Sequence, residues 1–164
     1  MTSGAVPTGA TDSMVEVHLT VDGTPVAIDI DQSSSLLRAL RNAGFTGTKG
    51  ACEQGECGSC SVLLDGALVC SCLVPAAVCE GSTVVTVASI ASADLADALA
   101  RNGAVQCGFC TPGFVVAAEA LLAPNPTGLT EQAVRDGLAG NLCRCTGYDG
   151  LVRAVLETST NRVP

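Results

Sequence analysis

The 164-residue sequence has no Trp, one Tyr and three Phe, so large aromatic anchors are nearly missing from any core. It is also poor in basic side chains: eight Lys and Arg stand against sixteen Asp and Glu, for a net charge of −8. A chain this acidic repels a phosphate backbone, and so few aromatics cannot build a base-stacking platform, which excludes nucleic acid as a partner. No apolar stretch approaches the ~18 residues of a membrane span. The segment 1–14 holds neither Lys nor Arg, nor an apolar run of signal-peptide length. The expectation is a soluble, cytoplasmic protein. A mass of 16.3 kDa leaves room for one domain or two very small ones and argues against a large catalytic cavity. Cysteine, by contrast, is abundant, with ten in all. In a reducing compartment, cysteines at short spacings more often bind metal or do redox chemistry than form structural disulfides.

Residues 1–13 are rich in Gly, Ala, Ser and Thr without periodicity, which predicts a mobile tail. The alternation of Val15, Val17, Leu19 and Val21 with Glu16, His18, Thr20 and Asp22 predicts a half-buried strand. Val26, Ile28 and Ile30 predict a second, joined by a turn at Asp22-Gly23. A helix capped by Ser33 to Ser35 follows, with Leu36, Leu37, Leu40 and Ala43 as its apolar stripe and Gly44 at its end. Beyond a loop rich in Gly and Cys, strands are expected at Val62–Leu64, Ala67–Leu73 and Val84–Val87. Past Ser89 the pattern turns helical: Asp94–Arg101, a helix capped by Thr111 with Pro112 first and a stop at Pro124-Asn125-Pro126, one from Thr130 to Gly140, and one capped by Asp149. The expected fold is α+β, a small mixed sheet over 14–88 followed by a four-helix bundle over 89–160. Each half is too small to bury a large core alone, so internal staples are needed.

Cys52, Cys57 and Cys60 have the spacing C-x4-C-x2-C, which with one more distant Cys is the plant-type arrangement for a 2Fe-2S cluster. Two ferric ions and two sulfides need four soft thiolates, three of them from a loop that can wrap the core, and Gly50, Gly55 and Gly58 allow that wrap. Backbone N–H groups can then approach the sulfurs and offset the charge of about −2 left on the cluster. For the fourth ligand, Cys70 and Cys72 sit on the same face of the expected strand, and periodicity does not choose between them. The helical half carries Cys107-Gly108-Phe109-Cys110 and Cys143-Arg144-Cys145, both in turns just before expected helices. Four thiolates there could hold a second cluster favoured by the helix dipoles, or a tetrahedral zinc.

The strings Cys107-Gly108-Phe109-Cys110-Thr111-Pro112-Gly113 and Asn141-Leu142-Cys143-Arg144-Cys145-Thr146-Gly147-Tyr148 closely resemble the iron–sulfur subunit of the molybdenum hydroxylases, the xanthine oxidase family. So do Lys49 to Cys60 and Ser71-Cys72-Leu73, and the resemblance covers about residues 14–160. It implies a ferredoxin-like β-grasp domain and a four-helix domain, each with one 2Fe-2S cluster. It assigns Cys52, Cys57, Cys60 and Cys72 to the first and Cys107, Cys110, Cys143 and Cys145 to the second. Cys70 and Cys79 then become non-ligands, small buried apolar residues. The resemblance also sets Gln106 and Cys145 against the pterin of a molybdenum cofactor held by a partner.

Other residues take plainer readings. His18 faces solvent by alternation. Glu53 and Glu56 resemble a general acid and base but lie in a cluster loop, so a solvated or subunit-facing role is expected, and Arg144 between two ligands screens cluster charge. The resemblance implies an electron-transfer subunit that does no bond chemistry itself. It would pass single electrons from a large molybdopterin subunit, through the helical and then the ferredoxin-like cluster, to FAD in a medium subunit. The assembly expected is a dimer of heterotrimers. The alternatives are a free-standing ferredoxin, which would need only the first half of this chain, and a zinc-stabilised interaction module. The loop Ala51 to Cys57 looks more like purine-oxidising xanthine dehydrogenases than carbon monoxide or quinoline enzymes, so the expected substrate of the complex is a purine such as xanthine, ahead of another N-heterocycle, an aldehyde or CO.

Overall fold

The computed structural model describes residues 14–125 and 128–162. The expected tail over 1–13 and the stop at Pro126 lie outside the described residues. Alternating Val, Leu and Ile form the hairpin of β1 (Met14–Val21) and β2 (Thr24–Asp31), which turn Val17, Leu19, Val21, Ile28 and Ile30 inward. Asp22 and Gly23 both take positive φ, +50° and +80°, the geometry of a two-residue turn matched to strand twist. Helix α1 (Leu36–Asn42) starts where the Ser35 hydroxyl accepts the Arg38 N–H, and its Leu36 and Leu40 complete a core with the sheet. Strands β3 (Ser61–Leu64), β4 (Ala67–Cys70) and β5 (Thr83–Val85) complete one five-stranded sheet in the order β2-β1-β5-β3-β4. Its one parallel pairing is β1 with β5.

Two strand expectations need correction. The strand expected to run to Leu73 ends at Cys70, and Ser71–Leu73 is a 3-10 turn. The buried Ser71 gives both its N–H and its hydroxyl to the Cys60 carbonyl, which breaks the strand's alternation. Val87 belongs not to a strand but to α2 (Val87–Ile90), a short helix absent from the sequence reading that starts where the Thr86 hydroxyl accepts the Ala88 N–H. Thr86 itself is fastened to the first hairpin, since Asp22 accepts its N–H and its hydroxyl at 2.7 Å.

The remaining helices are α3 (Ala93–Arg101), α4 (Thr111–Leu122), α5 (Glu131–Gly137) and α6 (Asp149–Asn161). Thr130 caps α5 as expected, its hydroxyl accepting the Ala133 N–H, but α5 ends at Gly137 rather than Gly140. Thr111 and Asp149 are first residues of their helices rather than caps: Cys110 and Tyr148 hold the cap positions without side-chain bonds, Tyr148 at φ +72°. Both positions belong to cysteine-bearing turns, whose geometry replaces ordinary capping. Helix α4 buries residues all round its circumference, because β3 and β4 pack on one side and α5 and α6 on the other. Within this packing Glu119 is buried, meeting the Arg162 guanidinium at 2.8 Å and accepting the Ser92 N–H. Arg162 also binds Asp94 at 2.7 Å and holds its carboxyl well below the usual carboxylate range.

Candidate metal centres

The first centre is built on the loop between α1 and β3. Cations of α1 pin it: Arg41 donates to the carbonyls of Thr46 and Thr48, and Arg38 meets Glu53 at 2.9 Å. Glu53 is exposed, as expected of a solvated side chain, and its ion pair with Arg38 also tethers the loop. Cys52, Cys57 and Cys60 lie on this tethered loop, and the 3-10 turn after β4 carries Cys72. The thiols meet in twos. The Cys52 sulfur accepts the Gln54 N–H at 3.4 Å and the Cys57 thiol, which together lower it to about 7. Burial, then donation of its proton to Cys60, raises Cys72 to about 12, partly offset by the Gly55 N–H. Cys70, half-buried at the end of β4, has its thiol raised by burial first and then by the neighbouring Cys60. Cys79 lies elsewhere, buried in the sheet core with its thiol toward the Pro75 carbonyl at 3.5 Å.

The second centre depends on two turns far apart in sequence. Cys107 and Cys110 precede α4, and Cys143 and Cys145 precede α6. The Cys145 thiol donates to Cys107 at 3.6 Å. That is close to the ~3.8 Å between two sulfurs sharing one tetrahedral metal at ~2.3 Å bonds. Cys110 donates to Cys143, and burial together with this contact pushes Cys110 up to about 12. Burial also raises Cys143, but the Thr146 hydroxyl at 3.2 Å, the N–H groups of Cys145 and Thr146 and the Cys110 thiol outweigh it and bring Cys143 to about 7. The Tyr148 hydroxyl accepts the Cys143 N–H at 3.0 Å, an anchor the sequence reading missed. Gln106 donates to the Cys145 carbonyl at 3.2 Å, so these two exposed residues share an edge, with exposed Val105, Phe109 and Leu142 around it. His18 faces solvent between Glu16 and Glu80.

The two centres touch. The Leu142 N–H, next to Cys143, donates to the Cys57 carbonyl at 2.9 Å. Asn141 donates its amide to the Gly58 carbonyl at 3.0 Å. Gly58 (φ +65°) and Gly113 make room: a Cβ at Gly113 would stand 2.2 Å from the Gly58 carbonyl oxygen. A recess of about 610 Å³ is lined by Cys57 and Ser59 from one side and Cys107, Cys110, Cys143, Arg144 and Cys145 from the other.

The donor sets fit iron–sulfur clusters. Each offers soft thiols in two pairs, Cys52 with Cys57 and Cys60 with Cys72, then Cys107 with Cys145 and Cys110 with Cys143, as a core of two metal ions requires. Among the described residues, no group of three or more His, Cys, Asp or Glu is already drawn together around a metal position.

Comparison with known proteins agrees. Residues 19–84 match the 2Fe-2S iron-sulfur cluster binding domain, and residues 83–156 the 2Fe-2S binding domain. The chain therefore has two 2Fe-2S binding domains. It is 43% identical over 148 residues to the xanthine dehydrogenase iron-sulfur-binding subunit of Escherichia coli O157:H7, covering 87% of this chain and 93% of that one. It is 44% identical over 147 residues to the nicotine 6-hydroxylase small subunit of Paenarthrobacter nicotinovorans, covering 87% and 88%. The crystal structure of quinoline 2-oxidoreductase from Pseudomonas putida 86 contains a chain of the same fold, with a TM-score of 0.85, 38% identity, and coverage of 91% of this chain and 96% of that one. The chain belongs to the family of small iron–sulfur subunits of the molybdenum hydroxylases, and is a subunit of an oxidoreductase complex.

Proposed function

We propose that this chain is the electron-transfer subunit of a cytoplasmic molybdenum hydroxylase, relaying single electrons from the molybdopterin centre of a large subunit to FAD in a medium subunit. Cys52, Cys57, Cys60 and Cys72 hold one cluster in a ferredoxin-like β-grasp domain over 14–88. Cys107, Cys110, Cys143 and Cys145 hold the other in a four-helix domain over 89–160. When bound, each cluster supplies one-electron redox chemistry, so two of them divide a two-electron oxidation into single transfers. The observation that carries the reading is the 2.9 Å hydrogen bond from Leu142 to the Cys57 carbonyl, which joins the two ligand loops through backbone alone.

The chain's own residues supply the rest. Gln106 and Cys145 form the exposed edge that faces the pterin of the large subunit, and Phe109 and Leu142 give that edge apolar area to bury. The turn after β4, with Leu73 and Val78 exposed, faces the FAD subunit. The complex is a dimer of heterotrimers. Its substrate is a purine such as xanthine or another N-heterocycle, the classes named for the xanthine dehydrogenase, nicotine and quinoline relatives, ahead of an aldehyde or CO. Stopped-flow reduction of the assembled complex by its substrate tests the order of relay. Cys57→Ser should leave the helical domain rapidly reducible while flavin reduction becomes slow, and Cys107→Ser should isolate both the ferredoxin-like domain and flavin. Wild-type flavin reduction in Cys107→Ser would overturn the order.

A further inference from the structure

Gly58 lies between Cys57 and Cys60, and its carbonyl is bonded from both halves of the chain. It accepts the Ser61 N–H at 3.1 Å and the Ser61 hydroxyl at 2.7 Å, which close a turn within the first ligand loop. It also accepts the Asn141 amide at 3.0 Å, from 83 residues further along. Asn141 is buried, its amide also reaches the Ser61 hydroxyl at 3.4 Å, and its own N–H is bound at 3.0 Å to the carbonyl of Leu138, just past α5. The next residue, Leu142, gives its N–H to the Cys57 carbonyl at 2.9 Å. Two adjacent donors thus sit on two adjacent carbonyls, one through a side chain and one through backbone. One such bond is a pivot, whereas two fix direction as well as distance. The space is fitted to the amide, since a Cβ at Gly58 would stand 2.5 Å from the Asn141 amide nitrogen. A buried amide carries a desolvation cost that an apolar side chain would not, and what it adds here is direction. The halves are tied again at their boundary, where Asp22 accepts the Thr86 N–H, but that tie fixes the start of α2 and not the ligand loops.

Resting on the relay proposed above, we propose that Asn141 is a positioning residue for it: the amide on the Gly58 carbonyl sets the separation and direction of the two ligand loops. Asn141 acts through Gly58 on one side and Leu142 on the other, with no bond to a cysteine sulfur among its own. Without the amide, the Leu142 bond alone joins the loops and becomes a pivot, while the packing of Gly113 against Gly58 keeps the halves together. The result is a loosened junction between two intact centres, with neither ligand set altered.

The test compares Asn141→Leu, close in volume but without a donor, with Thr158→Val in the assembled complex. Thr158 is buried in α6 at the end far from Cys145 and donates its hydroxyl to the Ala154 carbonyl at 2.9 Å, so its loss removes a buried hydrogen bond without touching the loops. Both proteins should hold four irons. In Asn141→Leu alone, hydrogen-exchange mass spectrometry should show the Leu142 N–H exchanging about fivefold faster, the scale of one lost hydrogen bond. The magnetic interaction between the two clusters in EPR should weaken with the g values of each unchanged. Flavin reduction in stopped flow should slow while the helical-domain cluster is still reduced at the wild-type rate. Wild-type exchange and magnetic interaction in Asn141→Leu refute the positioning role and leave the relay intact. The same changes in Thr158→Val assign the effect to general destabilisation and refute it too. If Asn141→Leu does not assemble, Asn141→Ser, which leaves room at the junction, takes the same readings. Failure of both, with Thr158→Val intact, makes Asn141 a folding residue and overturns the proposal. A wild-type complex without two clusters overturns the relay itself, and this role with it.

Discussion

The two centres use the same four-thiol chemistry but are assembled in opposite ways. In the first, three thiols come from one short loop tied to α1 by Arg38 and Arg41, with Cys60 buried and the others half-buried. In the second, two turns from distant parts of the chain meet only because α4 and α6 pack together, and Cys107 and Cys145 are exposed. A local loop supplies three of its four thiols from neighbouring residues and needs only the turn after β4 for the last, whereas a site between helix ends exists only once the helical core has closed. The comparison teaches that the second centre should be the more sensitive to changes in packing, and the first to changes in its own loop.

The largest effects come from ligand removal. The wild-type chain should hold four irons and four sulfides with negligible zinc, two clusters giving two different EPR signals. Cys107→Ser should halve the iron and remove only the helical-domain signal, and Cys57→Ser only the other; iron analysis and EPR check both. Next is Arg162→Met, which leaves the buried Glu119 carboxylate unpaired and should destabilise the helical half by about 3 kcal/mol. Chemical denaturation followed by cluster absorbance should show the second cluster lost before the first. Adding Glu119→Leu should restore part of the loss, because no buried charge then remains.

Gly113→Ala sharpens the comparison at the point where the centres meet. Its Cβ would stand 2.2 Å from the Gly58 carbonyl oxygen, so the loops must separate, at about 2 kcal/mol. The expected result is weaker magnetic interaction between the two clusters in EPR while both remain loaded. The smallest effect is that of Thr146→Val, which removes the hydroxyl bonded to the Cys143 sulfur at 3.2 Å. Losing one hydrogen bond worth about 1 kcal/mol should lower the potential of the helical-domain cluster by roughly 40 mV and leave the other unchanged. Redox titration monitored by EPR measures both in one sample.

Much of the first half was legible because its signals are local. Alternation of Val, Leu and Ile gives β1 and β2 directly, Asp22-Gly23 marks the turn, and C-x4-C-x2-C identifies the ligand loop, since neighbours along the chain create each of these. The end of β4 at Cys70 was not legible. Periodicity carries the strand on to Leu73, and only the hold of Ser71 on the Cys60 carbonyl, across the sheet, ends it. In the helical half the segments were legible as helices, and Thr130 as the cap of α5, but the starts of α4 and α6 were not, because the turns at Cys110 and Tyr148 are shaped by the second centre rather than by side-chain caps.

The sequence by itself determined which residues can bind metal, where the chain can turn, and that the centres number two, because residue chemistry and short spacing are properties of the chain. Tertiary structure decided how the thiols of the second centre pair, that Leu142 reaches Cys57, that Glu119 requires Arg162, and that Ser71 is held on the Cys60 carbonyl. Each of these is a contact between residues far apart in the sequence or across a sheet. Such contacts are chosen by packing, when burial of α4 between the sheet and its neighbouring helices brings the two loops together.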